Sequence, residues 1–429
     1  MCIRDSSCRR PVAPLRNPVA AACRPLELID SCTGGLEALL CGSSSTPPIR
    51  VCSGGTTSRC AEVGHTTLDL SVSHRRFRLD PARRRVRFGC GWTMGEVQDQ
   101  LAAAGQMIPT GLSGLPGSGF ILTGGMGPLS RSVGLAVDHV ESIQGVWGNG
   151  QPFALSSSDA TPEEQMRWRA LLGAGLFLAV VTDLEMRTLP SVALAISQGC
   201  TTRQALATCI TAAEGCPEGL SLQWCWADQL EVMLVARCDD QKAMDRLASL
   251  GEALALEQPS HCSVAGLHQL PRFGALSLPD PCRPQPHQEV LGLLGGAWGE
   301  ASEELLGALE PLMASRPHHH CGIACQQLGG AVSRQPRWGS AFIHRQSEWK
   351  PWITAAWTAD DHGQRRSALD WMERVWDVLR PHCPGVHLAQ LHDHLPWHEQ
   401  ELTAAFGDSL SGLRLLKSRV DPRGMLPRL

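Results

Sequence analysis

Three short segments in the first third of this 429-residue chain gather backbone donors around glycine. Ser53-Gly54-Gly55-Thr56-Thr57-Ser58 follows a strand-like run, Ile49–Cys52, and adds hydroxyl donors to its amides. Gly117-Ser118-Gly119 and Thr123-Gly124-Gly125-Met126-Gly127 offer a second surface of the same kind. Turns free of Cβ let successive N–H groups converge on one anion, and a diphosphate suits such a surface. One Gly-Gly pair would be an ordinary tight turn; three clusters before residue 130 ask for more. A Rossmann site needs G-x-G-x-x-G between a strand and a helix. Gly117-Ser118-Gly119 has Leu122 in the third glycine position; Gly173-Ala174-Gly175 has Leu178 there, and its strand follows the glycines. No Gly-Lys-Ser/Thr occurs, so a nucleotide site here is of another kind. His318-His319-His320-Cys321 with Cys325 invites a metal reading. It lacks a second ligand pair at zinc-finger spacing, and Pro317 favours a loop, so no metal is expected.

The elements that carry these segments must fill more than one core, because 429 residues are comfortable for two domains. Net charge is −4 with scattered basic residues, Arg83-Arg84-Arg85 being the densest run, which argues against a nucleic-acid partner. No apolar run approaches the roughly 20 residues of a membrane span. The 18 cysteines are dispersed and read as reduced, buried side chains. A cytoplasmic protein acting on a small molecule is the expectation, with oligomeric state open. The start, MCIRDS, reads like a translated sequencing adaptor, so residues 1–17 are set aside as a leader. Tyrosine is absent, which removes phenol chemistry.

Residues 24–190 read as short strands and glycine turns, with Thr93 capping a helix that Gly105 stops. Pro109–Gly134 has too few periodic apolar residues for a helix, and Leu176–Val181 reads as an apolar run before the strand 182–188. After Pro190 strands alternate with amphipathic helices: one over 240–256, one from about Glu300 and one from Asp360 or Asp361 to Pro381. Strands are expected at 221–226, 231–236, 340–344 and 352–357, and residues 257–288 as a long loop. This second part is an α+β domain, a sheet covered by helices.

The order of segments resembles the FAD-linked oxidases of the vanillyl-alcohol-oxidase superfamily, with a PCMH-type flavin domain and a berberine-bridge-enzyme-like C-terminus. IRVCSGGTTS (49–58), Gly89-Cys90-Gly91-Trp92, Pro109-Thr110-Gly111, GSGFILTGGMGPLSRSVGLAVD (117–138), RWRALLGAGLFLAVVTDLEMRTLP, LGGAVSRQPRWGSAFIHR and FGDSLSGLRLLKSRVDP carry it. The resemblance implies an α+β, two-domain fold: an FAD domain over 18–190, a substrate domain with a helix-covered antiparallel sheet over 191–380, and a C-terminal segment, 381–429, returning to the FAD domain. It implies FAD held by Ser53, Gly54, Gly55, Thr56, Thr57, Ser58, Pro109, Thr110, Gly111, Ser113, Gly117, Ser118, Gly119, Thr123, Gly124, Gly125, Gly127, Leu129, Val180 and Val181. Relatives attach flavin through a His where this chain has Thr56 and through a Cys where it has Ser113, so non-covalent binding is expected.

The implied reaction is hydride transfer from a CH–OH donor, or a CH–NH donor, to flavin, with a base removing the proton of the OH or NH. Relatives often use tyrosine; here His344 is the first candidate, on a strand whose alternation pairs it with Phe342. Arg345 is assigned a substrate carboxylate or the charge of reduced flavin. Gln390 and His392, in a histidine-rich stretch with His387, Asp393 and His394, are candidates to touch the ligand. Two rivals are a related reductase using a nicotinamide donor, disfavoured by the Lys417–Pro422 pattern, and a degenerate flavin-domain protein with a binding role.

Overall fold

The computed structural model describes residues 15–22, 27–30, 35–42, 46–158, 161–271, 273, 286–336, 338–388 and 390–429. The MCIRDS start lies outside them. Three short parallel strands, Glu27–Asp30, Thr66–Asp69 and Ile49–Cys52, form one small sheet. A five-stranded antiparallel sheet follows, in the order Phe77–Asp80, Arg85–Gly89, Ala179–Arg187, Val140–Trp147, Pro152–Ser156. The helix Met94–Ala102 starts on a capping box: Thr93 accepts from the Glu96 amide, and the Glu96 carboxylate accepts from the Thr93 amide. Gly105, at φ +66°, turns the chain beyond it.

Eight antiparallel strands build the second sheet, in the order Glu257–Val264, Leu194–Cys200, Leu230–Arg237, Leu220–Trp226, Gly322–Gln327, Trp349–Trp357, His287–Leu294, Gly385–His387. Alternation sends Trp349, Ile353 and Ala355 toward the helices behind the sheet, where Trp349 Nε1 donates to Glu214 of the helix Arg203–Glu214 at 2.7 Å. The helices Ala301–Ala314 and His362–Leu379 join there, Trp371 Nε1 donating to Leu312 O. The opposite face meets the glycine-rich segments: Ser221 donates to Pro128 O, and Arg131 donates to Leu328 O and to Glu348. Leu129 and Met107 pack against Leu194, Ile196, Met233 and Val235. The tail returns to the first half of the chain, with Lys417 on Phe177 O and the Ile49 amide on Met425 O.

The α+β architecture with a helix-covered antiparallel sheet is as the sequence implies. Four local readings are corrected. Glu257–Val264 is an edge strand paired with Leu194–Cys200, so the expected loop over 257–288 begins later; most of 272–285 lies outside the described residues. Pro109–Gly134 contains two single helical turns, Gly119–Leu122 and Ser130–Val133. The apolar run 176–181 is split: the helix Pro162–Leu178 takes its first half and the strand Ala179–Arg187 the rest. Ser340–His344 is no strand. Its Ala341 amide lies against Arg169 O and Leu172 O, carbonyls freed where the helix Pro162–Leu178 breaks at Leu172 and Gly173.

Candidate active site

Two of the glycine bends touch. A Cβ on Gly54 would lie 2.3 Å from Gly117 N and 2.6 Å from Leu115 O. The Ser118 amide donates to Ser53 Oγ at 3.1 Å. The carbonyls of Pro116 and Gly114 accept from Met94 and Gly95, the first amides of the capped helix, so this loop is fixed at its middle. Gly127 packs onto Thr110 O and Gly125 onto Ala136, which folds residues 109–127 back on themselves.

Asn17 sets the direction of the first bend. Its amide donates to Gly55 O at 2.8 Å and its side chain to Thr56 O at 3.3 Å. In a planar trans peptide the N–H points opposite the C=O, so the amides of Thr56 and Thr57 face away from Asn17. Gly55, at φ +66°, supplies the left-handed step of such a nest. Among the described residues, none of the amides of Gly54, Gly55, Thr56, Thr57 and Ser58 has an acceptor, although Gly54, Gly55 and Ser58 are buried. A buried donor left unmet costs about 1–3 kcal/mol. Three buried donors with the half-buried Thr56 and Thr57 between them fit an anion such as the diphosphate of a dinucleotide.

Facing the second of these bends, at Thr123 to Pro128, the ladder registers Gln223 with Gln326 and Gln326 with Lys350, one transverse row on the front of the large sheet. Lys350 Nζ lies 3.4 Å from Gln326 Oε1 and 4.6 Å from the centre of the Trp352 ring. Burial pushes the Lys350 ammonium down to about 8, so it exchanges a proton near neutrality. His387, at the sheet edge, places Nε2 3.0 Å from Thr123 O, and burial drives its imidazole well below the ordinary range. Its Nδ1 and the Gln223 Oε1 are buried without hydrogen-bond partners. Lys350, Gln326 and Gln223 escaped the sequence reading. The signal was available: alternation run back from Ala356 through Thr354 and Trp352 puts Lys350 on the face opposite Trp349, Ile353 and Ala355, a charge among apolar neighbours.

The expected catalytic residues are differently engaged. Arg345 is 1% exposed and bound to Asp138 at 2.7 Å and Ser340 at 2.8 Å, so its guanidinium is spent on a buried strut rather than a ligand. His344 packs over Gly385 and aims Nε2 at Ala405 O, 3.1 Å away; burial lowers its imidazole. Gln390 Oε1 accepts from the Val290 amide on the edge of the strand His287–Leu294. His392 is sealed between Glu401 and Glu289. Of the expected cofactor residues, the structure gathers 53–58 with 117–118 and folds 109–111 against 127. Ser113 Oγ accepts from Leu115 N. Val180 and Val181 pair with Val146 and Gly145 in the five-stranded sheet, while Leu129 joins the cluster under the large sheet. The His318 imidazole stacks with those of His319 and His320, and no three-ligand metal group occurs among the described residues.

Glycine bends whose amides lack acceptors thus lie under an antiparallel sheet that buries Lys350 and His387. Residues 38–156 match the FAD binding domain family. The chain is 24% identical over 394 residues to the uncharacterized FAD-linked oxidoreductase YvdP of Bacillus subtilis, covering 84% of this chain and 80% of that one. Its fold matches that of Phl p 4, a grass pollen allergen with glucose dehydrogenase activity, at TM-score 0.78 and 18% identity, over 96% of this chain and 92% of that one. Berberine bridge enzyme from Eschscholzia californica superposes at TM-score 0.73 and 17% identity, covering 96% and 91%. The chain is an FAD-dependent oxidoreductase with FAD as its cofactor, and its fold is that of berberine bridge enzyme. No helix among the described residues is long and apolar enough to cross a membrane.

Proposed function

We propose that the protein oxidises a hydroxyl-bearing small molecule at a CH–OH carbon, with CH–NH donors as the close variant, and that its FAD is held without a covalent bond. The observation that carries this reading is the row Gln223–Gln326–Lys350 with His387 beside it, on the sheet face that covers the second glycine bend. Bound FAD supplies the hydride acceptor. Lys350, neutral above about pH 8, takes the hydroxyl proton, and Trp352 and Gln326 fix its ammonium. Gln223 Oε1 and His387 Nδ1 are buried acceptors awaiting donors, which suits a substrate with several hydroxyls. The glucose dehydrogenase activity of Phl p 4, on the same fold, is in keeping with that class.

Thr56 and Ser113 offer the flavin only hydroxyls, and the amide row does the holding. Acid precipitation of the holoprotein is therefore expected to leave a yellow supernatant and a white pellet. Colour retained in the pellet would overturn the non-covalent assignment. Anaerobic screening of polyols and hydroxy acids for flavin bleaching tests the donor class: bleaching by amines alone would move the reading to its variant.

A further inference from the structure

Ser58, the last residue of the amide row, donates its hydroxyl to Glu289 Oε2 at 2.6 Å. Glu289 belongs to the strand His287–Leu294, so this bond ties the first glycine bend to the large sheet. The other Glu289 oxygen lies 3.1 Å from His394 Nε2. His392 Nε2 is 3.7 Å from Glu289, an ion-pair rather than a hydrogen-bond distance, and His392 Nδ1 is 2.6 Å from Glu401 on the helix His398–Phe406. The side chains of Glu289, His392 and Glu401 are each 1% exposed. Two buried carboxylates around one imidazole are tolerable only if that imidazole carries a proton.

We propose that Glu289 is a positioning residue, a buried clamp that grips the cofactor bend through Ser58 and is itself held by His392, His394 and Glu401. The clamp rests on the reading of residues 54–58 as the FAD diphosphate site. It gives a chain without nucleophiles at Thr56 and Ser113 another means of keeping that bend in place.

Burial alone would raise the Glu289 carboxyl, but the His394 bond and the charges of His392 and His394 hold it low. Burial would likewise lower His392, but the Glu401 charge and bond, with the charges of Glu289 and Asp393, raise it. Asp393 is held low, against its own burial, by Arg50 and Arg59, which also grip Glu62. His398, on the Glu401 helix and next to Arg428, is lowered by burial. A raised histidine contributes fully below its unfolded value of about 6.5 and loses that contribution as pH rises through the folded one. A depressed carboxylate contributes above its unfolded value and loses that as pH falls through the folded one. The clamp thus stays closed through the mildly acidic range and loosens with alkali as His392 gives up its proton.

The test is the rate at which FAD leaves the diluted holoprotein, read as recovered flavin fluorescence between about pH 6 and pH 9. Ser58→Ala and Glu289→Gln are expected to release FAD roughly tenfold faster near neutrality, the loss of one hydrogen bond to a charged group. Wild-type release quickens with alkali, and His392→Gln lacks that limb. Wild-type release rates in both Ser58→Ala and Glu289→Gln overturn the clamp, as does an alkaline limb that survives in His392→Gln. Ser58→Ala removes a single hydroxyl, which keeps the test sound if Glu289→Gln fails to fold. A wild-type chain that takes up no FAD would instead defeat the reading of the bend itself, a different outcome from a holoprotein indifferent to these substitutions.

Discussion

Gly54→Ala is expected to purify colourless and to bind added FAD at least about 100-fold more weakly than wild type, a loss of roughly 3 kcal/mol. The added Cβ would stand 2.3 Å from Gly117 N, 2.6 Å from Leu115 O and 2.7 Å from Pro116 C. All three are backbone atoms, and none can rotate away. The loop that supplies them is pinned by its bonds to Met94 and Gly95, so the two bends must part. Parting them breaks the alignment of the amide row and leaves its donors with water instead of phosphate. Gly412→Ala is the control: it sits on the helix Leu410–Val420 with nothing within 4 Å of its Cβ, and alanine is the better helix former there. Fluorescence titration with FAD compares the two, and equal affinities would contradict the account of the bends.

Lys350→Met is expected to keep FAD and lose about 100- to 1,000-fold in kcat, the range for removal of a general base. The pH profile makes the assignment specific. Burial holds the Lys350 ammonium at about 8, so the fraction of neutral amine rises with pH through that value. Wild-type kcat/KM should therefore climb about tenfold per pH unit below about 8 and level off above it. That limb should be missing in the variant. Stability moves the other way: replacing a buried ammonium by an apolar chain of similar length is neutral or stabilising, so Tm should hold or rise. A variant with wild-type turnover, or one whose Tm falls in step with its activity, would remove Lys350 from the chemistry.

The bends were legible in the sequence because glycine spacing and hydroxyl-rich flanks state a local requirement. The capped helix after Thr93 was legible for the same reason, since Thr93 and Glu96 satisfy each other within one turn. His344 and Arg345 misled because their partners are remote. Arg345 meets Asp138 from 207 positions away, and the Ala341 amide meets a helix that breaks at Gly173. Extended backbone with an apolar-in, polar-out rhythm looks like a strand whether or not a neighbouring strand exists. His392 was singled out as a histidine near the ligand; its actual neighbours, Glu289 and Glu401, come from a strand and a helix that no spacing rule would unite. Lys350 sits between Trp349 and Pro351, ahead of the run Trp352–Trp357 whose pattern reads as the strand. What sequence pattern could supply was local geometry; what it could not supply was which buried charges find each other across the sheet.

Equilibrium binding of FAD set beside riboflavin addresses the amide row most directly, because the two ligands share the ring and differ in the diphosphate and adenosine. Saturable uptake of one FAD per chain, with riboflavin bound far more weakly, is the expected result. Riboflavin held as tightly as FAD, or no saturable uptake of FAD at all, would contradict it.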